Sequence, residues 1–401
     1  MLLAGDFIPK SLKVDLPEHF GRDLVLANLE GPICSEGLPV SNKVGVCLHS
    51  APFDIPCRWT FALANNHLMD FREEGLRQTR LFLTKKGYAF AGAGDAEKEA
   101  RKPMILEEAG KRIAVFSCCE RQFGVATPDS AGVAAMGVWL YEAIRSIKSR
   151  GEADFVIVSC HAASEFCPWP SPQLRDFYHS LVDAGADVIH GHHAHVPQGW
   201  ETYKDKPIFY GLGNFVVNVD DWGVFPHYRW SYVATVHFEG QRIVWRVEPF
   251  FLSVKDGAIL CQPPDGEGEN LVNQYTAAVN FPLESDRRVE ACWQEAACRL
   301  YPYLYEQPLR ATSCGSRRLS VRQRVRKLFF AGGDIVRALV GHEIATKRSI
   351  YYAKALYNLF NCTSHVELIQ TALGVKTGVI PDLRTPETAQ AADALSLKGV
   401  P

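Results

Sequence analysis

The run Ala186-Asp187-Val188-Ile189-His190-Gly191-His192-His193-Ala194-His195-Val196 passes from an apolar, β-branched strand into four histidines within six positions. A strand ending this way presents several imidazole nitrogens at the edge of a sheet, where α/β folds place their sites. Alternate strand residues share a direction, so His193 and His195 are expected to reach one metal region while His192 points away. A His-rich surface loop is the plain alternative, and the density of the cluster argues against it.

Working outward, the same layout recurs. Asp6 follows the apolar run 1–5, Glu30 follows 24–29, His161 follows 155–160, and Asn65-Asn66-His67-Leu68-Met69-Asp70 follows 60–63. Singly, each has an ordinary explanation: a helix cap for Asp6, a solvated turn for Glu30, a satisfied core histidine for His161. Five strand ends carrying Asp, Glu, Asn-His, His and His-x-His make a far rarer accident. Together they form an oxygen and nitrogen ligand set suited to Mn²⁺, Fe or Zn²⁺.

Between these runs lie helical patterns, at Glu74 to Lys86 and Gln173 to Ala184, and the alternation is that of an α/β sandwich. Tyr228 to Val247 alternates apolar and polar residues about Glu239-Gly240, the pattern of an antiparallel hairpin. Beyond Pro249 the character shifts. An irregular stretch is expected at Asp256 to Glu269, then helices carrying Val289, Cys292, Trp293, Ala296 and Leu300, then Val321 to Phe330 and Ala353 to Phe360, with a mobile small-residue tail after Pro381.

Composition narrows the class. The 401 residues are 47% hydrophobic, 22% charged and 11% aromatic, which excludes a disordered or fibrous chain. With 43 basic and 45 acidic side chains the net charge is −2, so neither nucleic acid nor a membrane surface is expected as a global partner. No apolar run approaches the ~18 residues of a membrane span. Asp6 interrupts the amino-terminal run, and a cytoplasmic location is the expectation. Twelve cysteines without a Cys-x-x-Cys pair read as free thiols, with Cys118 and Cys119 buried.

In combination, Gly5-Asp6, Asn28-Leu29-Glu30-Gly31-Pro32, Ala64-Asn65-Asn66-His67 with Asp70, His161, Gly191-His192-His193-Ala194-His195-Val196 and Gly211-Leu212-Gly213-Asn214-Phe215 resemble the CapA family of poly-γ-glutamate capsule biosynthesis proteins. That family sits in the calcineurin-like metallophosphoesterase superfamily. The resemblance implies a four-layer α/β/β/α sandwich over residues 1–252, with a mostly helical carboxy-terminal appendage over 253–401. It implies that Asp6, Glu30, Asn66, His161, His193 and His195 hold one or two divalent ions. His67 is implied to face the substrate, with Asp70 fixing its tautomer, and Asn65, Glu165, His192 and Asn214 to contact substrate. The implied chemistry is attack by metal-activated water, because a bound divalent ion can bring the pKa of water from 15.7 to about 7.

The chain departs from that pattern in two places. Ile8 stands where the superfamily's Asp-x-His motif has histidine, and Ala162-Ala163-Ser164-Glu165 stands where the family has Trp-Gly-x-Glu. Phe166 to Pro170 is expected to replace the lost aromatic wall. Arg310 to Lys327 carries seven Lys or Arg and no acid, which suits a solvated helix face, a guide for an anionic polymer or a peripheral contact with a membrane surface. Three functions compete: a metal-dependent hydrolase or transferase acting on an anionic polymer or phosphoester, a non-catalytic polymer-binding or assembly component of capsule or exopolysaccharide biosynthesis, and a nucleotide or phosphoester phosphatase.

Overall fold

The computed structural model describes all residues except 11–12, 35–37, 39–42, 44–45, 56–57, 218–225, 256–257, 307–353 and 397–401. The first sheet has the order β2 (Lys13–Asp15), β17 (Ala258–Gln262), β16 (Arg242–Lys255), β15 (Trp230–Glu239), β1 (Leu2–Phe7), β3 (Val25–Leu29), β4 (Trp59–Ala62), β5 (Ala89–Ala91), with β14 (Asn214–Val216) also beside β1. The second has the order β12 (Trp200–Tyr203), β13 (Lys206–Phe209), β11 (Val188–His192), β10 (Phe155–His161), β8 (Lys111–Cys119), β7 (Met104–Glu108). A short pair, β6 (Ala93–Gly94) and β9 (Gly132–Val133), stands apart.

The two-residue period of a strand explains the layers. On β1 and β3, Leu3 and Leu26 face an apolar cluster shared with Val115, Ile157 and Val188 of the second sheet. Their neighbours Leu2, Ala4, Val25 and Ala27 face the other way, onto Leu76 and Leu83 of α1 (Arg72–Lys86). In the second sheet Ala114, Phe116, Val156 and Val158 likewise turn outward. They meet Leu140 and Ile144 of the third helix, α3 (Trp139–Ser149), which follows the four-residue α2 (Glu97–Ala100), and Tyr178 and Leu181 of α4 (Pro172–Ala184). The order helix, sheet, sheet, helix is therefore set by which residues alternate. Helix α4 starts as its sequence dictates, with Ser171 accepting from the Leu174 amide, Pro172 in the first turn, and left-handed Gly185 closing the end.

Strands β1, β3 and β4 run parallel, as do β8, β10 and β11. Their carboxyl ends gather on one edge, and His190 Nε2, 2.8 Å from the Ala4 carbonyl, ties the sheets together there. The hairpin forms as expected, with Glu239 opposite Arg242.

The carboxy-terminal part corrects two expectations. The stretch 256–269 is not irregular throughout: β17 extends the first sheet and α5 (Gly266–Asn280) begins within it, anchored by Val272, Tyr275 and Val279. The described part of the tail after Pro381, residues 382–396, is not loose. A helix at Pro386–Ala394, capped reciprocally by Thr385 and Thr388, buries Ala392, and Leu395 just beyond it is buried too. Together with α6 (Asp286–Tyr301) and a helix at Thr363–Thr377, these segments add Trp293, Leu368, Ile369, Ala392 and Leu395 to the cluster between the sheets. The basic stretch Arg310 to Lys327 and the helix expected at Val321 to Phe330 lie outside the described residues. No described helix is long and apolar enough to cross a membrane, and Cys118 and Cys119 are buried free thiols.

Candidate metal centre

Asp6 ends up at the heart of the edge because three strands converge on it. It is in register with Asn28 on β3 and Asn214 on β14. A Cβ on Gly5 would lie 1.8 Å from the Gly213 carbonyl oxygen, so only glycine lets β14 approach this closely. Asn28 Nδ2 donates to Asp6 Oδ1 at 2.8 Å. Glu30, two residues beyond Asn28, is fully buried beside them.

The imidazoles arrive from the second sheet. His161 ends β10 in register with His192 on β11, and their Nδ1 atoms lie 2.8 Å apart. Asp6, His161 and His192 form one group whose candidate ligand atoms lie within 4.8 Å of one another; Glu30, His193 and His195 form a second. His192 was expected to point away, yet its Nδ1 lies 3.8 Å from Asp6 Oδ1. The strand ends at His192, and His193 and His195 then take left-handed backbone angles, φ 96° and 59°, so simple alternation no longer applies. Asn66 Oδ1 lies 3.0 Å from His161 Nε2.

Several buried polar atoms here have no hydrogen-bond partner: Asp6 Oδ2, both Glu30 carboxylate oxygens and His193 Nδ1. Around them, His195 Nε2 and His161 Nε2 lie 3.5 and 3.6 Å from Glu30 Oε1, and His195 Nδ1 lies 3.4 Å from Asp6 Oδ2. Burial pushes the Glu30 carboxyl up, with the Asp6 charge adding to the rise and His195 opposing it. Burial works to lower His195, yet Glu30 and Asp6 hold it raised. Asp6 stays low against its burial through His195, His192 and Asn28. Orphaned carboxylate and imidazole donors of this kind fit a divalent cation, which would satisfy them and compensate the buried negative charge.

Beside the two groups opens a cavity of about 390 Å³, lined among others by Lys43, Asn66, His67, Glu165, His195 and His365. His67 Nδ1 lies 2.7 Å from Asp70 Oδ2, and its Nε2 lies 3.9 Å from Glu30 Oε1. Burial and the Lys43 ammonium push His67 down to about 4. Lys43 Nζ is 3.0 Å from His67 Nδ1 and pairs with the Asp70 carboxylate. The Leu48 amide donates to Asp70 Oδ2 at 2.7 Å.

Of the residues expected to contact substrate, Glu165 lines this cavity. Asn65 is instead fully buried and engaged by the backbone: Nδ2 donates to the Leu29 carbonyl at 2.8 Å, and Oδ1 accepts from the His67 and Leu68 amides. That pins the Asn66-His67 turn. Asn214 Oδ1 lies 3.0 Å from His195 Nδ1 and orients that ring, while His192 lies in the floor with Asp6. Sequence reasoning missed Asn28, Glu120 and Lys43, and the Ser364-His365 pair that reaches the site from the helix at Thr363–Thr377. Asn28 shares the face of Glu30 by strand period. Glu120 follows β8 as another polar strand end, and its Oε1 lies 3.1 Å from His193 Nε2. Lys43 comes from a stretch without regular pattern and gave no signal.

Residues 14–219 match the model of a family described as bacterial capsule synthesis protein PGA_cap. A probable polyglutamine synthesis accessory protein of Mycobacterium tuberculosis is 31% identical over 229 residues, covering 53% of this chain and 60% of that one. The capsule biosynthesis protein CapA of Bacillus anthracis is 35% identical over 206 residues, covering 48% and 50%. The chain thus spans about half the length of these relatives. Among solved structures, a 5'-nucleotidase precursor from Thermus thermophilus aligns at 13% identity and a TM-score of 0.30, over 57% of this chain and 44% of that one.

Proposed function

The chain belongs to the family of bacterial capsule synthesis proteins, and from that premise we propose that it is a metal-dependent hydrolase or transferase acting on an anionic polymer or phosphoester. The observation that carries this reading is the orphaned Glu30 carboxylate, ringed by imidazoles and bordering a cavity that also holds His67. Asp6, Glu30, Asn66, His161, His192, His193 and His195 are the residues to hold one or two ions, Mn, Fe or Zn. A bound divalent cation supplies Lewis acidity and lowers the pKa of water.

The chain's own residues do the rest. Asp70 occupies His67 Nδ1, which leaves Nε2, on the Glu30 side, to exchange a proton with the reacting group. Lys43 compensates the Asp70 charge behind the ring. Asn65 holds the turn that presents Asn66 and His67 together.

One observation favours a second reading. Ile8, where the superfamily has a histidine, is buried in the outer apolar cluster and supplies no ligand. A site built without it suits a polymer-binding or assembly component that holds metal without turnover. Metal analysis together with a screen of phosphoesters and γ-glutamyl peptides in Mn²⁺ separates the two. On the first reading, His67→Ala lowers turnover about 10²- to 10⁴-fold and keeps its metal, whereas His193→Ala with His195→Ala loses the metal. A wild-type chain that holds metal yet turns over none of these substrates favours the second.

A further inference from the structure

The helix Thr363–Thr377 lies outside the stretch that matches the family, yet its first turn reaches the metal centre. The Ser364 amide donates to Glu120 Oε2 at 3.1 Å, and the Ser364 hydroxyl donates to Glu120 Oε1 at 3.0 Å. That same Oε1 lies 3.1 Å from His193 Nε2. Glu120 and Ser364 are each 6% exposed, and His193 is fully buried. A buried carboxylate abutting one nitrogen of a ligand histidine fixes the ring's tautomer and orientation, and raises its basicity toward a metal on the other nitrogen. A carboxylate in that position must itself be held. Here both of its oxygens are engaged by one residue of a helix more than 240 positions away.

We infer that the carboxy-terminal helix Thr363–Thr377 is part of the metal centre: Ser364 holds Glu120, and Glu120 positions His193 for the ion. Both are positioning residues. The inference rests on the reading of the Asp6 and Glu30 edge as a metal site, and it extends that site to a segment beyond the family's matched residues.

Further bonds seat the same turn. Ser164 Oγ donates to the Ser364 carbonyl at 3.3 Å, and Ser171 Oγ donates to Glu367 Oε2 at 2.8 Å. These contacts dock the helix without touching Glu120, so they serve as controls that separate docking from positioning.

The test measures Mn²⁺ dissociation constants on the full chain by competition with a chelating dye. Glu120→Gln is expected to weaken Mn²⁺ binding about 10- to 100-fold, the range for loss of a ligand's supporting partner. Ser364→Ala is expected to weaken it in the same direction, and Ser364→Thr, which keeps the hydroxyl, to restore it. The double variant of Glu120→Gln and Ser364→Ala should bind no more weakly than Glu120→Gln alone, because the two act in series. Ser164→Ala should bind as wild type does. Wild-type affinity in both Glu120→Gln and Ser364→Ala overturns the inference while leaving the metal site standing. Equal weakening in Ser164→Ala and Ser364→Ala also overturns it, since helix docking alone would then be the cause. A wild-type chain that binds none of Mn²⁺, Fe²⁺ and Zn²⁺ overturns the metal reading itself.

Discussion

Glu30 and His195 show what it means to assemble ligands in a dry pocket. Burial raises Glu30, and Glu30 and Asp6 in turn raise His195. The pair together therefore holds more protons in the folded chain than ordinary Glu and His, with values of about 4.3 and 6.5, hold in the unfolded chain at the same pH. The sign follows for this pair: without added cation it binds more protons folded than unfolded, so its contribution to stability falls as pH rises above those ordinary values. A cation must displace the same protons. Mn²⁺ affinity is thus expected to rise between about pH 6 and pH 8, and calorimetry in buffers of different ionisation enthalpy should register proton release on binding. An affinity flat across that range would contradict the proposed ligands. At this scale the residue types were largely legible, since Asp6, Glu30, His161, His193 and His195 each stand at a strand end. What hid Lys43 was distance: its partners His67 and Asp70 are more than 20 positions away, and no period links them.

Strand ends carry the site only if the strands approach closely enough. Gly5 is the test of that statement, because β1 and β14 run parallel with Asp6 opposite Asn214, and a Cβ on Gly5 would fall 1.8 Å from the Gly213 oxygen. Gly5→Ala must push β14 away. The expected result is a destabilisation of about 1–3 kcal/mol in urea unfolding, the usual cost of forcing atoms into a packed interior, together with weaker Mn²⁺ binding as Asp6 and Asn214 separate. Wild-type stability and metal binding in this variant would show that the strand contact is slack. The elements themselves were readable where a strand is a continuous apolar run buried on both faces, as in β8 and β10, and where a helix buries one face, as in α1 and α4. Reading failed for β17, a five-residue strand bracketed by Asp256-Gly257 and Pro263-Pro264, and for α5, whose Gly-Glu-Gly-Glu first turn looks like loop and is held by burial of Tyr275 and Val279. It failed likewise for the terminal helix, whose Ala-rich sequence carries little apolar contrast.

A composition shift near residue 250 suggests two parts, but the cluster between the sheets is continuous across it. Trp169 Nε1 donates to the Ala278 carbonyl at 3.0 Å, and the Tyr275 hydroxyl donates to the Pro197 carbonyl at 2.7 Å. Leu368, from the far helix, is fully buried in the same cluster as Leu3 and Val188. Removing the carboxy-terminal helices would expose one side of that cluster to water, so the sandwich and its appendage should unfold as one cooperative unit. Leu368→Ala tests this. A Leu-to-Ala change in a packed interior costs about 2–5 kcal/mol, and in a single unit that loss must appear wherever stability is read. Hydrogen exchange at β3 and β10 amides should therefore show the same loss of protection as amides in Thr363–Thr377. If β3 and β10 keep wild-type protection while the helix loses it, the helix opens on its own, and a metal centre that depends on Ser364 would open and close with it.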